Sequence, residues 1–308
     1  MERDISWKQY QEEVNKAAIN YISYIMDKGI FIDIYEDLIK KPVYPQVEFK
    51  KNTASLESIK GNVINHTKDF LNGVNLDIKW LEKDMVEKLR YKYPFDNHEY
   101  IMQAAHDGSI FDIPLVPSKQ YSSYLDQHLG IDEDFRDAVF KCIGLILDDD
   151  KDVLESTYFH ELVHALISRN WYMITNPLFD EYLPHFLEMF YNYSILGDET
   201  KFIKKLLIKM ENRTHSNLML SRDHSFIGLF SKDDLMYTLA LILACITFEK
   251  YVDFNMQDKE EMVKDIKDVL NGIITVEDFM KKYEVNFDND SAIKLYKRSV
   301  ERVKSYTF

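Results

Sequence analysis

Residues 160–164 read HELVH, so that two histidines stand four residues apart and a glutamate follows the first. On a helix, side chains at positions i and i+4 lie one above the other on the same face. His160 and His164 would therefore direct two imidazoles at one point, about 2 Å from a zinc ion. Glu161 would lie beside that point, where it can hold a zinc-bound water. Chance produces this pattern in roughly 2% of chains of this length and composition.

A catalytic zinc takes three protein ligands and keeps one open position, so a third ligand must come from elsewhere in the chain. Glu181 and Glu188 are the candidates, because residues seven apart on one helix can face the same side. A solvent-exposed position is the commoner environment of glutamate. However, the surrounding sequence PLFDEYLPHFLEMF is rich in apolar residues. We expect Glu181 to be the third ligand, with Glu188 as the alternative.

His185 and Asp180 flank the expected ligand and are candidates for holding the site in shape. Zinc-bound imidazoles usually donate their other N–H to a carboxylate or a carbonyl. Either residue can serve in such a contact from the same helix. Ordinary helix residues with satisfied hydrogen bonds explain both positions equally well.

The elements that position these residues are predicted to be mostly helical. The motif helix follows Asp148–Asp150, which supply an N-cap and favourable negative charge. Leu154, Tyr158, Leu162 and Leu166 would form its buried stripe. The helix of Glu181 is expected to begin with Asn176 as its cap and Pro177 as its first residue, with a kink at Pro184.

Further helical patterns occur along the chain at the spacing of amphipathic helices. They cover about 6–40, 54–73, 76–93, 201–213, 232–252, 258–270, 274–285 and 291–306. Residues 106–121 are the least helical part and the best place for a short strand or two. Residues 138–147 fit a buried strand or a helix. We expect a mainly α protein with at most a small β-sheet.

The net charge of −14 argues against a nucleic-acid partner, because phosphate binding needs clustered Lys and Arg. The N-terminus has no apolar run with a cleavage site, which predicts a cytoplasmic protein. The longest apolar run, residues 235–248, falls short of the roughly 20 residues that span a bilayer. It predicts a buried helix and no membrane partner. Cys142 and Cys245 both lie in apolar runs and are predicted to be buried free thiols.

The sequence FHELVHAL followed by FDEYLPHFLEMF resembles the gluzincin metallopeptidases, and most of all the thimet oligopeptidase and oligoendopeptidase F family. In that resemblance Glu181 matches the third zinc ligand and Glu188 a second acidic position. The downstream segment DHSFIGLFSKDDLMYTLALILACITFEKY matches the family's His and Tyr with His224 and Tyr237. The similarity covers about 154–290.

The resemblance implies a zincin-like fold with an active-site helix pair and two lobes around a cleft. Residues 1–150 would form a mostly helical lobe that is one wall, and residues 151–308 the catalytic lobe. The activity implied is hydrolysis of short peptides with one zinc per chain. Glu161 would be the general base, and Tyr237, with His224 assisting, would stabilise the oxyanion.

Two other classes of protein compete with this prediction. One is a non-catalytic protein that binds a peptide or partner through a peptidase-like fold with a vestigial or structural zinc. The other is a helical interaction protein with an accidental motif. Glu161 favours the enzyme, because catalysis needs this residue and structural zinc binding does not. Peptide specificity, the choice between endo- and exopeptidase action, and oligomeric state stay open.

Overall fold

The fold is mainly α-helical, as predicted. The computed structural model describes residues 54–76, 79–80, 110–112, 114–117, 138–140, 143–145, 151–168, 177–220, 232–286 and 290–306. The helices are α1 Leu56–Thr67, α2 Lys151–Ser168, α3 Pro177–Phe190, α4 Glu199–Leu220, α5 Lys232–Asp253, α6 Met256–Leu270, α7 Val276–Lys282 and α8 Asp290–Ser305. The strands are β1 Lys79–Trp80, β2 Ile110–Asp112, β3 Pro114–Pro117, β4 Ala138–Phe140 and β5 Ile143–Leu145.

The strands form two small antiparallel sheets, with orders β1-β3-β4 and β2-β5. Strands within residues 106–121 are therefore confirmed, and residues 138–145 contain strands rather than a helix. The helix predicted at about 76–93 is wrong at β1. Lys79 and Trp80 pair with Leu115 and Pro114, and this pairing overrides the local helical pattern. The rest of that segment, from residue 81, lies outside the described residues.

Helix α2 is buried on nearly all sides, which explains its apolar sequence. Its predicted stripe of Leu154, Tyr158, Leu162 and Leu166 is at most 3% exposed. The helix packs against α1 and α3 and also contacts β5 and β3. Helix α2 thus lies within the hydrophobic core of the described residues.

Helix α3 begins at Pro177, as predicted, and continues through Pro184 to Phe190. The kink expected at Pro184 stays a prediction. A π-helical turn, Tyr191–Ile195, follows directly. Helix α3 lies mainly against α5 and α2. Within the described part of α5, residues 239–249 are fully buried, as predicted for the apolar run. None of the described helices is long and apolar enough to cross a membrane.

A buried carboxylate joins α8 to α5. Glu249 is completely buried and receives Arg298 Nε at 2.6 Å, Arg302 Nη2 at 2.9 Å and Ser299 Oγ at 2.9 Å. Helices α6 and α7 begin with side-chain N-caps: Asn255 accepts from the Asp258 amide and Thr275 from the Asp278 amide. The C-terminal helices therefore form a well-connected support for α5 and, through it, for α3.

One hydrophobic cluster extends from Leu56 to Val303, so α1 shares its core with the C-terminal helices. The predicted lobe boundary at residue 150 stays a prediction. Cys245 is a buried free thiol, as expected, and burial raises its pKa. The helix expected at about 6–40, Asp148–Asp150, Asn176 and Cys142 lie outside the described residues.

Candidate metal centre

Two helices bring the sequence-predicted ligands together. His160 and His164 are one turn apart on α2, and Glu181 lies on α3, which packs against it. Both histidines are buried, at 6% exposure, whereas the Glu181 side chain retains 18%. The three side chains therefore meet in a largely buried site, and Glu181 is the most exposed of them.

The distances among these ligand atoms match those of a tetrahedral metal site. His160 Nε2 lies 3.2 Å from His164 Nε2 and 3.7 Å from Glu181 Oε2, and His164 Nε2 lies 3.5 Å from Glu181 Oε1. Zinc bonds of about 2.0–2.1 Å in tetrahedral geometry separate neighbouring ligand atoms by roughly 3.3 Å. The donor set and its spacing thus fit a zinc ion.

The charge of Glu181 also suits a cation. Burial raises the pKa of its carboxyl, but His164 and His160 lower it more, so the net pKa is well below the usual value. The side chain is therefore a carboxylate at neutral pH. An anionic oxygen beside two imidazole nitrogens is a donor set that zinc commonly uses in catalytic sites.

Glu188 lies behind the histidines rather than among the ligand atoms. It is completely buried, and its Oε2 is 3.2 Å from Nδ1 of His160, the ring nitrogen that faces away from Glu181. A carboxylate at this position orients a metal-binding imidazole and increases its basicity. The geometry therefore favours Glu181 over Glu188 as the third ligand.

Two lysines from α4 complete the support of the site. Lys205 Nζ is 2.6 Å from Glu188 Oε1, and Lys209 Nζ is 2.6 Å from Glu188 Oε2. Lys205 also donates to Thr157 on α2, so that it links three helices. Burial raises the pKa of Glu188, but the two lysines outweigh it and hold the pKa well below the usual value.

Lys205 and Lys209 were not predicted as part of the site. The segment FIKKLLIKM looks like an amphipathic helix with a solvated basic face. A signal was nevertheless present: two lysines four residues apart are flanked on both sides by apolar residues, Phe202, Leu206 and Met210 among them, which are fully buried. A basic pair inside such a stripe requires a buried anion.

His185 is the remaining buried polar residue of the site. It lies one turn after Glu181 on α3, is 4% exposed, and its ring centroid is 4.9 Å from that of His160. One ligand atom from each of His160, Glu181 and His185 lies within 4.8 Å of the others. Burial lowers the pKa of His185, and the neighbouring Lys209 lowers it further, which favours the neutral ring.

For the other predicted site residues, no side-chain contact with the candidate metal ligands is established in the described part of the chain. Glu161 is half-buried on α2, next to His160 in the chain. Asp180 lies on α3 and Tyr237 on α5, which packs against α3. His224 lies outside the described residues. The roles of these four residues stay predictions.

A surface pocket of about 620 Å³ lies elsewhere, where α5, α7 and α8 meet. Three of its basic side chains have partners within the fold: Lys250 donates to the carbonyls of Tyr283 and Glu284, Arg298 pairs with Asp253 and Glu249, and Lys282 pairs with Glu261 and Asp265. These contacts maintain the fold. The chemistry of the described residues is concentrated at α2 and α3 instead.

In comparisons with known proteins, no family model matches the chain, and neither do any of the curated proteins or solved structures.

Proposed function

We propose that this protein is a zinc-dependent peptidase with a zincin-like fold. The observation that carries the proposal is the triangle of His160, His164 and Glu181, whose ligand atoms are separated by 3.2–3.7 Å. These three residues would hold the ion. When bound, zinc would supply Lewis-acid catalysis and lower the pKa of a coordinated water towards neutrality.

Glu161 would be the general base. Its place next to His160 on α2 and its partial burial support this role. In the proposed reaction Glu161 takes a proton from the attacking water as the new C–O bond forms at the peptide carbonyl. Glu161 then delivers that proton to the leaving amine as the C–N bond breaks, so no further reactant is needed.

The buried cluster of Glu188, Lys205 and Lys209 would hold the first ligand in place. Glu188 faces His160 Nδ1 and thereby directs Nε2 of the same ring towards His164 and Glu181. The two lysines hold the carboxylate in its charged form from α4. Because a loosened ligand weakens both affinity and activity, this support is part of the proposed site.

The resemblance to the thimet oligopeptidase and oligoendopeptidase F family supports the substrate class. On that basis we propose short peptides as substrates, bound in a cleft between residues 1–150 and the catalytic lobe. Tyr237 and His224 would stabilise the oxyanion, and the protein would act in the cytoplasm. Nothing in the charge pattern suggests a nucleic-acid partner.

The test is cleavage of a mixed library of quenched peptides by the zinc-loaded protein and by Glu161→Gln. The matched control is Glu260→Gln, which makes the same change at an exposed position on α6. We expect one zinc per chain in all three proteins. Cleavage should fall about 10²–10⁴-fold in Glu161→Gln alone, as for loss of a general base. Equal cleavage by Glu161→Gln, or zinc without cleavage by the wild type, contradicts the proposal.

A further inference from the structure

The imidazole of His185 presents an unsatisfied nitrogen to the candidate metal centre. Its Nε2 is buried and makes no hydrogen bond within the described part of the chain. This atom lies 4.0 Å from Glu181 Oε2, on the side of the ring that faces the ligands. Buried polar atoms nearly always have a hydrogen-bond partner. An unpaired one beside the ligands points to a partner that binds there.

Lys209 determines which nitrogen of His185 carries the proton. Lys209 Nζ lies 2.8 Å from His185 Nδ1, and its contact of 2.6 Å with Glu188 is that of an ion pair. A charged ammonium has donors only, so Nδ1 of His185 must accept. Because Nδ1 accepts from Lys209, the ring N–H is on Nε2, which is a donor on the side that faces Glu181.

A protonated nitrogen cannot also be a metal ligand, and the distances agree with that. The ligand atoms of His160, His164 and Glu181 are 3.2–3.7 Å apart, whereas His185 Nε2 is 4.0 Å from Glu181 Oε2. If His185 were a fourth ligand, the site would be closed, as in structural zinc sites. With His185 as a donor, the fourth position stays open for water and substrate.

We propose that His185 donates a hydrogen bond from Nε2–H to the carbonyl oxygen of the bound peptide as negative charge develops on it. This inference rests on the proposed peptidase function. It adds a catalytic residue to those suggested by the sequence, Tyr237 and His224. Lys209 is a positioning residue, because it acts through the tautomer of His185. Donors of this kind contribute about 10²–10³-fold to kcat.

Two substitutions of His185 separate a donor from a ligand. In His185→Gln the side-chain amide reaches about the position of Nε2 and can donate there, whereas in His185→Asn it reaches only the position of Nδ1. Zinc affinity is measured by competition with a chelator, and kcat/KM with a quenched peptide that the wild type cleaves. We expect zinc affinity within about tenfold of the wild type in both variants. Cleavage should fall 10²–10³-fold in His185→Asn and much less in His185→Gln.

Lys209→Met tests the positioning role, with Lys209→Arg as the conservative variant. Lys209→Met should lower kcat by about 10–100-fold with little change in KM, because the tautomer is no longer fixed. Lys209→Arg retains a charged donor at Nδ1 and should restore most of kcat. A general loss of structure would instead change KM and the unfolding temperature of both variants.

A hundredfold or greater loss of zinc affinity in both His185 variants makes His185 a ligand and overturns the inference. Wild-type cleavage by His185→Asn also overturns it. If the wild type cleaves no peptide, the proposed function fails. In that case the inferred donor has no substrate and falls with the proposed function, whereas a wild type that cleaves peptides no better than His185→Asn overturns the inference alone. A wild type that takes up no zinc overturns both the proposed peptidase function and the inference about His185.

Discussion

Removal of the Glu188 carboxylate should destabilise the protein strongly, because it leaves two buried ammonium groups without their anion. The Lys205 and Lys209 side chains are only 9% and 16% exposed, and each lies 2.6 Å from a Glu188 oxygen. Breaking a buried ion pair by removing one partner costs about 3–5 kcal/mol. At about 2.1 cal/mol/K per residue, 308 residues have an unfolding entropy of roughly 0.65 kcal/mol/K. Glu188→Gln should therefore lower Tm by about 5–8 °C.

The assay is thermal and urea unfolding in the presence of a chelator, which removes any contribution from zinc binding. The matched control replaces the whole cluster, as Glu188→Leu with Lys205→Met and Lys209→Met. Replacing a complete buried ion cluster with apolar residues is often neutral or stabilising. The triple variant should thus recover most of the lost stability. Its zinc affinity should still be about 10–100-fold below wild type, because His160 has lost its carboxylate.

A Glu188→Gln protein that unfolds within about 1 kcal/mol of the wild type would refute this reasoning, because each lysine would then have to be stable without the carboxylate. A triple variant as unstable as Glu188→Gln would also refute it. That result would locate the loss in packing rather than in uncompensated charge.

Three further changes test the support around the site. Phe186→Ala, at a fully buried position on α3, should cost about 3–5 kcal/mol in urea unfolding; a cost below 1 kcal/mol would contradict its core position. Tyr182→Phe removes a 2.8 Å hydrogen bond to Thr247, and should cost about 1 kcal/mol because Thr247 still donates to a carbonyl. Glu249→Ala should cost about 2–3 kcal/mol, since the two arginines regain water, while zinc affinity stays unchanged; weakened zinc binding would contradict the separation of this network from the site.

Local signals predicted most of the helices. Helix α1 has a clear N-cap, with Ser55 Oγ accepting from the Ser58 amide, and its buried residues recur at helical spacing. The helical pattern at about 76–93 is wrong at Lys79 and Trp80, because pairing with a strand far away in the sequence determines their conformation. Such pairing has no local signal, which is why β1 was missed.

The residues of the candidate site also divide into those that a local sequence pattern indicates and those that depend on distant packing. The proximity of His160 and His164 was predictable because the helix itself fixes their separation. The apolar helix made Glu181 and Glu188 candidates alike, and the packing of α3 on α2 distinguishes them. Lys205 and Lys209 were not predictable, since they reach the site from a third helix whose packing depends on the whole fold. The donor role inferred for His185 depends on Lys209. It therefore required the structure rather than the spacing within α3.

The most direct test of the account is the zinc content of the purified protein and its His164→Ala variant, measured by native mass spectrometry after zinc loading. His66→Ala is the control, because His66 is a partly exposed histidine on α1. It contacts Tyr191 and Glu155 rather than the candidate metal ligands. We predict one zinc in the wild type and in His66→Ala, and none in His164→Ala. No zinc in the wild type, or one zinc in all three proteins, would contradict a site built from His160, His164 and Glu181.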